Sequence, residues 1–166
     1  MTILTGENLE LRPLPEADLP TLLKVYQGTP LYFDALGIPT ARLTLGEVRA
    51  QWQAAQANSA RHLLGVYHIV TGLLIGVADI QIGTPRPDSA AVWLLIWGGF
   101  QRQGYGQDCM AMLEAWLIPN QGVETLCAIA AENEEGVSFL ELQGFHRTGE
   151  PAQPPIAHGP SFWMSW

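Results

Sequence analysis

Apolar residues recur at two different spacings along this chain, and the switches between them mark its elements. Residues 8–13, NLELRP, alternate apolar and polar and stop at a proline, which predicts a short strand. In PEADLPTLLKVYQG, Leu19, Leu22, Leu23 and Tyr26 take helical spacing, with acidic residues near the start and Gly28 near the end. A stretch rich in aromatic and turn residues, TPLYFDALGIPTAR, leads to a second helix over TLGEVRAQWQAAQANSA. Leu45, Val48, Trp52 and Ala55 form its apolar face, and Thr44 followed by Glu47 has the form of a capping box.

The spacing then shortens. HLLGVYHIV and LLIGVADIQIG flank Thr71-Gly72 and predict an antiparallel hairpin. AAVWLLIW is apolar on both faces, as a central strand must be. After the loop GGFQRQGYGQ, residues Cys109, Met112, Leu113, Trp116 and Leu117 return to the helical spacing. VETLCAIAA predicts another buried strand and NEEGVSFLELQG a short helix ending at Gly144. FHRTGE and SFWMSW are closing strands, joined by the proline-rich GEPAQPPIAHGP. The order β-α-α-β-β-β-α-β-α-β-β predicts a mixed α/β domain.

Composition narrows the picture. A length of 166 residues fits a single domain over 1–166, and 48% apolar residues suffice for a core. The net charge of −8 argues against nucleic acid as a partner, since phosphate binding needs clustered Lys and Arg; it favours simple solubility or a cationic ligand. Cys109 and Cys127 are far apart and lack metal-ligand spacing, so no metal is expected and a reduced, cytoplasmic protein is the default. The N-terminus lacks the basic start and apolar core of a signal peptide, and no run reaches the ~18 apolar residues of a membrane span.

The candidate chemistry lies in GGFQRQGYGQ. A helix N-terminus carries unpaired N–H groups and the positive end of the helix dipole, and glycines before it let a ligand come close. Gly104 and Gly106 therefore mark an anion site, most often one for phosphate, or an ordinary strand-to-helix turn. There is no G-K-[ST], which excludes a Walker loop, and Cys109 stands where a dinucleotide fingerprint needs its third glycine.

Gln101-Arg102-Gln103-Gly104-Tyr105-Gly106 instead fits Q/R-x-x-G-x-G/A and resembles the pyrophosphate loop of the GNAT N-acetyltransferase superfamily. NEEGVSFLELQGF, Asn133 to Phe145, is similar to that family's second motif, and one helix and one strand separate the two, as in the family. The start, LTGENLELRPLPEADLPTLL, resembles the RimJ/RimL-type branch. The resemblance spans essentially the whole chain. It implies the GNAT fold, a mixed sheet of six to seven strands with about four helices, binding acetyl-CoA between two central parallel strands, here 91–97 and 123–131. It implies that Leu94, Leu95 and Ile96 pair with the pantetheine arm, and that a bulge in the first strand offers an N–H to the thioester carbonyl. It further implies that Arg102, Gln103, Gly104, Tyr105, Gly106 and Gln107 hold the diphosphate and that Asn133 bonds the arm.

The acid–base residues depart from the family pattern. Leu140 stands where many members have Tyr, Ala91 where many have Glu, and Ala128 where others have Glu. A lysine-like amine, pKa about 10.4, costs roughly 4–5 kcal/mol to deprotonate at pH 7; an α-amine, pKa near 8, costs about 1–1.5 kcal/mol. The expected acceptor is therefore a peptide α-amine or a small amine of low pKa, attacking directly in a ternary complex. Asp79, in its strand, and His158, in the last loop, are the stand-ins for acid and base; such residues are more often simply exposed, and His68 more often structural. Ser138 and Tyr105 are weaker. Tyr32, Phe33 and Asp34 either shape the acceptor site or plug the helix pair. Trp163 and Trp166 read as strand-core residues or a homodimer contact. The missing acid and base leave a second reading open, a GNAT-fold module that binds acyl-CoA without catalysis.

Overall fold

A computed structural model describes residues 3–29, 42–131, 134–152 and 161–166. In chain order the elements are β1 (Leu4–Thr5), β2 (Leu9–Pro13), a 3-10 turn (Glu16–Asp18), α1 (Leu19–Gln27), α2 (Leu45–Gln56), β3 (Arg61–His68), β4 (Leu74–Ile82) and β5 (Ser89–Ile96). A second 3-10 turn (Gly98–Phe100), α3 (Tyr105–Asn120), β6 (Thr125–Ala131), α4 (Glu134–Leu142), β7 (His146–Ala152) and β8 (Ser161–Ser165) complete them.

The eight strands among the described residues form one sheet in the order β1-β2-β3-β4-β5-β6-β8-β7. Every neighbouring pair is antiparallel except β5 and β6, which run parallel. The sheet has one strand more than the expected upper bound. The extra one, β1, is a two-residue strand paired with β2, too short to register as an alternation.

Helices cover both faces, which is why β5 is apolar on both sides. On one face α1 and α2 bury Leu19, Leu22, Val25 and Val48 against Val77 and Leu95. On the other, Cys109, Leu113 and Leu117 of α3 and Val137 of α4 pack on Ile75, Ile80 and Val92. The face expected for α2 is observed: Val48 and Ala55 are buried, and Leu45 and Trp52 are partly buried against the same core. The capping box is present, the Thr44 hydroxyl accepting from the Glu47 N–H at 3.2 Å and the Glu47 carboxylate accepting from the Thr44 N–H at 2.7 Å.

Two local features differ from the sequence reading. The β3–β4 strands end at His68 and resume at Leu74, so the connection is Ile69–Leu73 and not a two-residue turn. Within it Gly72 takes φ +69° and donates to the His68 carbonyl at 2.8 Å. The bulge expected in the first central strand is not there. The β4–β5 register runs unbroken from Gly76↔Ile96 to Ile82↔Ala90. The irregularity lies between β3 and β4, where Tyr67 faces Leu74, Val66 faces Gly76, and Ile75 is the additional residue.

Candidate active site

The sheet parts at its one parallel pair. β5 and β6 are in register only at Ser89↔Thr125, Ala90↔Leu126 and Ala91↔Cys127. Beyond these, β5 continues along β4 to Ile96, while β6 continues along β8 from Cys127↔Ser165 to Ala131↔Ser161. Two strands that follow different partners in a twisted sheet diverge, and the last residues of each border a wedge. Such an opening at the carboxyl ends of parallel strands is where open α/β sheets take ligands.

The phase of the ladder decides which β5 groups reach the wedge. Trp97 N–H bonds the Ile75 carbonyl at 2.8 Å and Gly83 N–H bonds the Ser89 carbonyl at 2.7 Å, so odd-numbered β5 residues turn their main chain to β4. Val92, Leu94 and Ile96 turn theirs to the wedge. The Ile96 carbonyl already accepts from Gln101 Nε2 at 2.9 Å. Of the three residues expected to meet a pantetheine arm, Leu94 and Ile96 face the opening. Leu95 faces β4 with its main chain and is buried in the core with its side chain.

The strand leads directly into α3. Trp97 is followed by the 3-10 turn, whose Phe100 N–H bonds the Trp97 carbonyl at 2.8 Å, and Gln103 Nε2 reaches the Gly99 carbonyl at 3.5 Å. Arg102 at φ +62° and Gly104 at φ +83° take the left-handed conformation. A Cβ built on Gly104 meets nothing within 4 Å, so the glycine is required by backbone angle and not by crowding. On Gly106 a Cβ would lie 3.2 Å from the Phe139 ring of α4, so there close packing asks for glycine.

Gly104 is the N-cap of α3, and no side chain caps that helix. The first helical bond of α3 runs from the Asp108 N–H to the Gly104 carbonyl at 3.0 Å. Helix geometry leaves the N–H groups of Tyr105, Gly106 and Gln107 without an intrahelical acceptor. Uncapped amides, the positive end of a 16-residue helix and a glycine approach thus meet where the wedge opens.

On the face covered by α1 and α2, the register sets Gln81, Ala91, Cys127 and Ser165 in one row across the point where the strands part. Ala91 contributes a methyl group only. Cys127 is buried, its Sγ 3.7 Å from Ser165 Oγ. Asp79, directly across from Trp93, is gripped by Arg61: Nε donates to Oδ1 at 2.9 Å and Nη2 to Oδ2 at 2.6 Å. Arg61 also reaches Gln51 of α2 at 3.3 Å. Tyr26 of α1 belongs to the same cluster, its phenol pushed above the ordinary tyrosine range first by burial and then by the Asp79 charge. Asp79 is therefore a member of an ion-pair network joining helix to sheet. The sequence carried a weak sign of it, an Arg and an Asp on inward positions of adjacent strands.

Other candidates are placed as follows. Ala128 and Leu140 pack in the core on the α3 side, so neither of these positions supplies an acid or a base. Cys109 is fully buried, its thiol pushed up to about 12 by burial and the neighbouring Asp108, which keeps it unreactive. His68 bonds Thr71 Oγ1 at 3.1 Å and lies edge-on to Tyr105 at 5.9 Å, a structural contact under the start of α3. Tyr32, Phe33, Asp34, Asn133 and His158 lie outside the described residues. No helix among the described residues is long and apolar enough to cross a membrane.

Comparison with known proteins bears on this geometry. A family model described as the acetyltransferase (GNAT) domain matches residues 8–146. Among solved structures, an acetyltransferase from Thermus thermophilus is 24% identical over 96% of this chain and 97% of its own, with a TM-score of 0.80. The acetyltransferase from Salmonella typhimurium that modifies the N-terminal serine of ribosomal protein L7/L12 is 14% identical over 99% of this chain and 98% of its own, with a TM-score of 0.81. RimL, a ribosomal L7/L12 α-N-protein acetyltransferase solved with coenzyme A, is 15% identical over 99% and 97%, with a TM-score of 0.80. No curated protein matches the chain.

Proposed function

The chain belongs to the GNAT acetyltransferase family, and from that premise we propose that it acts as a single domain moving the acetyl group of acetyl-CoA onto the α-amine of a peptide or onto a small amine of similar basicity. The observation that carries this is the parting of β5 from β6 after Ala91↔Cys127, beside a helix whose first amides no side chain caps.

When bound, acetyl-CoA brings an activated acyl group, and the chain's own residues hold and orient it. The main chain of Leu94 bonds the pantetheine arm much as an added strand would. The N–H groups of residues 102–107 hold the diphosphate, helped by the helix dipole. The amine attacks the thioester carbonyl directly, forming the N–C bond as the C–S bond breaks, and its proton leaves toward the departing thiolate and solvent. No acyl-enzyme is needed, in keeping with the buried thiol of Cys109.

The acceptor class follows from what surrounds the point of parting. Ala91 offers no base, and both Asp79 oxygens are engaged by Arg61. A site so equipped suits an amine that is partly neutral near pH 7, which an α-amine is and a lysine is not. Among structural neighbours, the L7/L12 enzymes are described as acting on an N-terminal α-amine.

Release of free coenzyme A thiol tests this. A short peptide with a free N-terminus should react well. The same peptide with a blocked N-terminus and an internal lysine should react at least tenfold more slowly at pH 7. Preference for the lysine peptide would overturn the α-amine reading. Coenzyme A binding with no thiol release from any peptide, small amine or polyamine would point to the non-catalytic module. Asp79→Asn adds a check: a fall in kcat of about a hundredfold or more with coenzyme A affinity and Tm unchanged would make Asp79 the base despite its pairing.

A further inference from the structure

The end of α1 lies against the first residue of the coenzyme loop, and a buried hydroxyl bonds across the joint. Thr29, two residues past α1, is 5% exposed. Its Oγ1 donates to the Val25 carbonyl at 2.9 Å. With its proton committed there, the oxygen is left as an acceptor, and it takes the N–H of Gly98 at 3.3 Å. Gly98 is the first residue after the last β4–β5 ladder bond, at Trp97, and it opens the loop that runs to Gly104.

The backbones on either side are pressed together. A Cβ on Gly98 would stand 2.7 Å from the Gly28 carbonyl oxygen, and a Cβ on Gly28 would overlap the Trp97 indole. Trp97 packs in turn on Phe100, the ring centroids 6.0 Å apart. Neither glycine has a positive φ, so both are explained by this contact and not by turn geometry.

We propose that Thr29 is a positioning residue that ties occupancy of the coenzyme site to the end of α1. The inference rests on the functional reading above, in which residues 102–107 hold the diphosphate. Ordering of the loop by coenzyme A holds Gly98 still, and the Thr29 bond passes that restraint to residues 25–29. The coupling is reciprocal: an acceptor that steadies the end of α1 tightens coenzyme binding by the same factor.

Hydrogen–deuterium exchange with and without saturating coenzyme A tests the joint without knowledge of the acceptor. In the wild type, coenzyme A should slow exchange in peptides covering residues 98–107 and also, by about tenfold, in those covering 22–29. Thr29→Val, close in shape but without the hydroxyl, should keep the protection at 98–107 and lose it at 22–29. Thr29→Ser should keep both. Retention of the 22–29 protection in Thr29→Val overturns the proposal, as does a wild type protected at 98–107 alone, a result that stands even if the valine variant does not fold. A wild type with no protection at 98–107 overturns the coenzyme reading itself, and the proposal with it.

Discussion

The chain builds two of its helix N-termini in opposite ways. α2 opens with Thr44, whose hydroxyl and main chain exchange hydrogen bonds with Glu47. The exposed donors at that end are satisfied by the chain itself and a carboxylate already sits on the helix dipole. α3 opens with Gly104 in the left-handed conformation and has no side-chain cap. A helix start that serves stability is closed by its own side chains. α3 forgoes a side-chain cap, which with glycine at that position costs only about a few tenths of a kcal/mol, and keeps its first amides available. The strand pairing repeats the contrast: β4–β5 is paired throughout, whereas β5–β6 stops at Ala91↔Cys127, on the side toward which α3 opens.

The contrast should be easiest to break at Gly104. Asparagine tolerates a positive φ, and a Cβ there meets nothing within 4 Å, so Gly104→Asn should fold with a loss of about 1 kcal/mol or less. Its side chain would stand where the diphosphate must approach. Charge-assisted hydrogen bonds are worth roughly 1.5–3 kcal/mol each, so coenzyme A affinity by calorimetry should fall about tenfold to a hundredfold. Gly104→Val should bind as poorly but lose more stability, because a β-branched residue at φ +83° is strained. Unchanged affinity in the asparagine variant would remove the loop from the binding site.

Gly106→Ala should act more mildly. Alanine favours the helix by about 1 kcal/mol over glycine, but its methyl would lie 3.2 Å from the Phe139 ring and push α3 from α4. The expected outcome is near-neutral stability with coenzyme A affinity lowered about threefold to tenfold. Stability and affinity falling together would instead mean that the helix contact, and not the binding site, was damaged.

Thr44→Ala is the counterpart at the closed terminus, and the smallest effect. It should cost about 1 kcal/mol, a drop of roughly 2–4 °C in Tm, with coenzyme A affinity unchanged. A matching loss of affinity would show that the two termini are not independent, and the comparison would fail.

The closed terminus was legible in the sequence because Thr44 and Glu47 lie within one helical turn and their bonds depend on local geometry alone. The same holds for the apolar faces of α2 and α3 and for Gly104, whose positive φ belongs to a local turn. What escaped was non-local. The Arg61–Asp79 pair joins strands whose partnership only the hairpin register creates. The Thr29–Gly98 bond spans 69 positions and leaves no pattern on either side. The bulge that the resemblance implied for β5 is absent, because loop and helix motifs do not carry the register of the strands beside them; a break lies one strand away, at Ile75.

Taken alone, the sequence determined the order and faces of the elements, the glycine turn that opens α3 and the family resemblance, because side-chain periodicity and glycine conformation are properties of short stretches. Tertiary structure decided where β5 and β6 part, that Leu94 and not Leu95 turns its main chain to the opening, and that Asp79 is held by Arg61. Each of these is a relation between segments, set by which strand pairs with which, and no single segment encodes it.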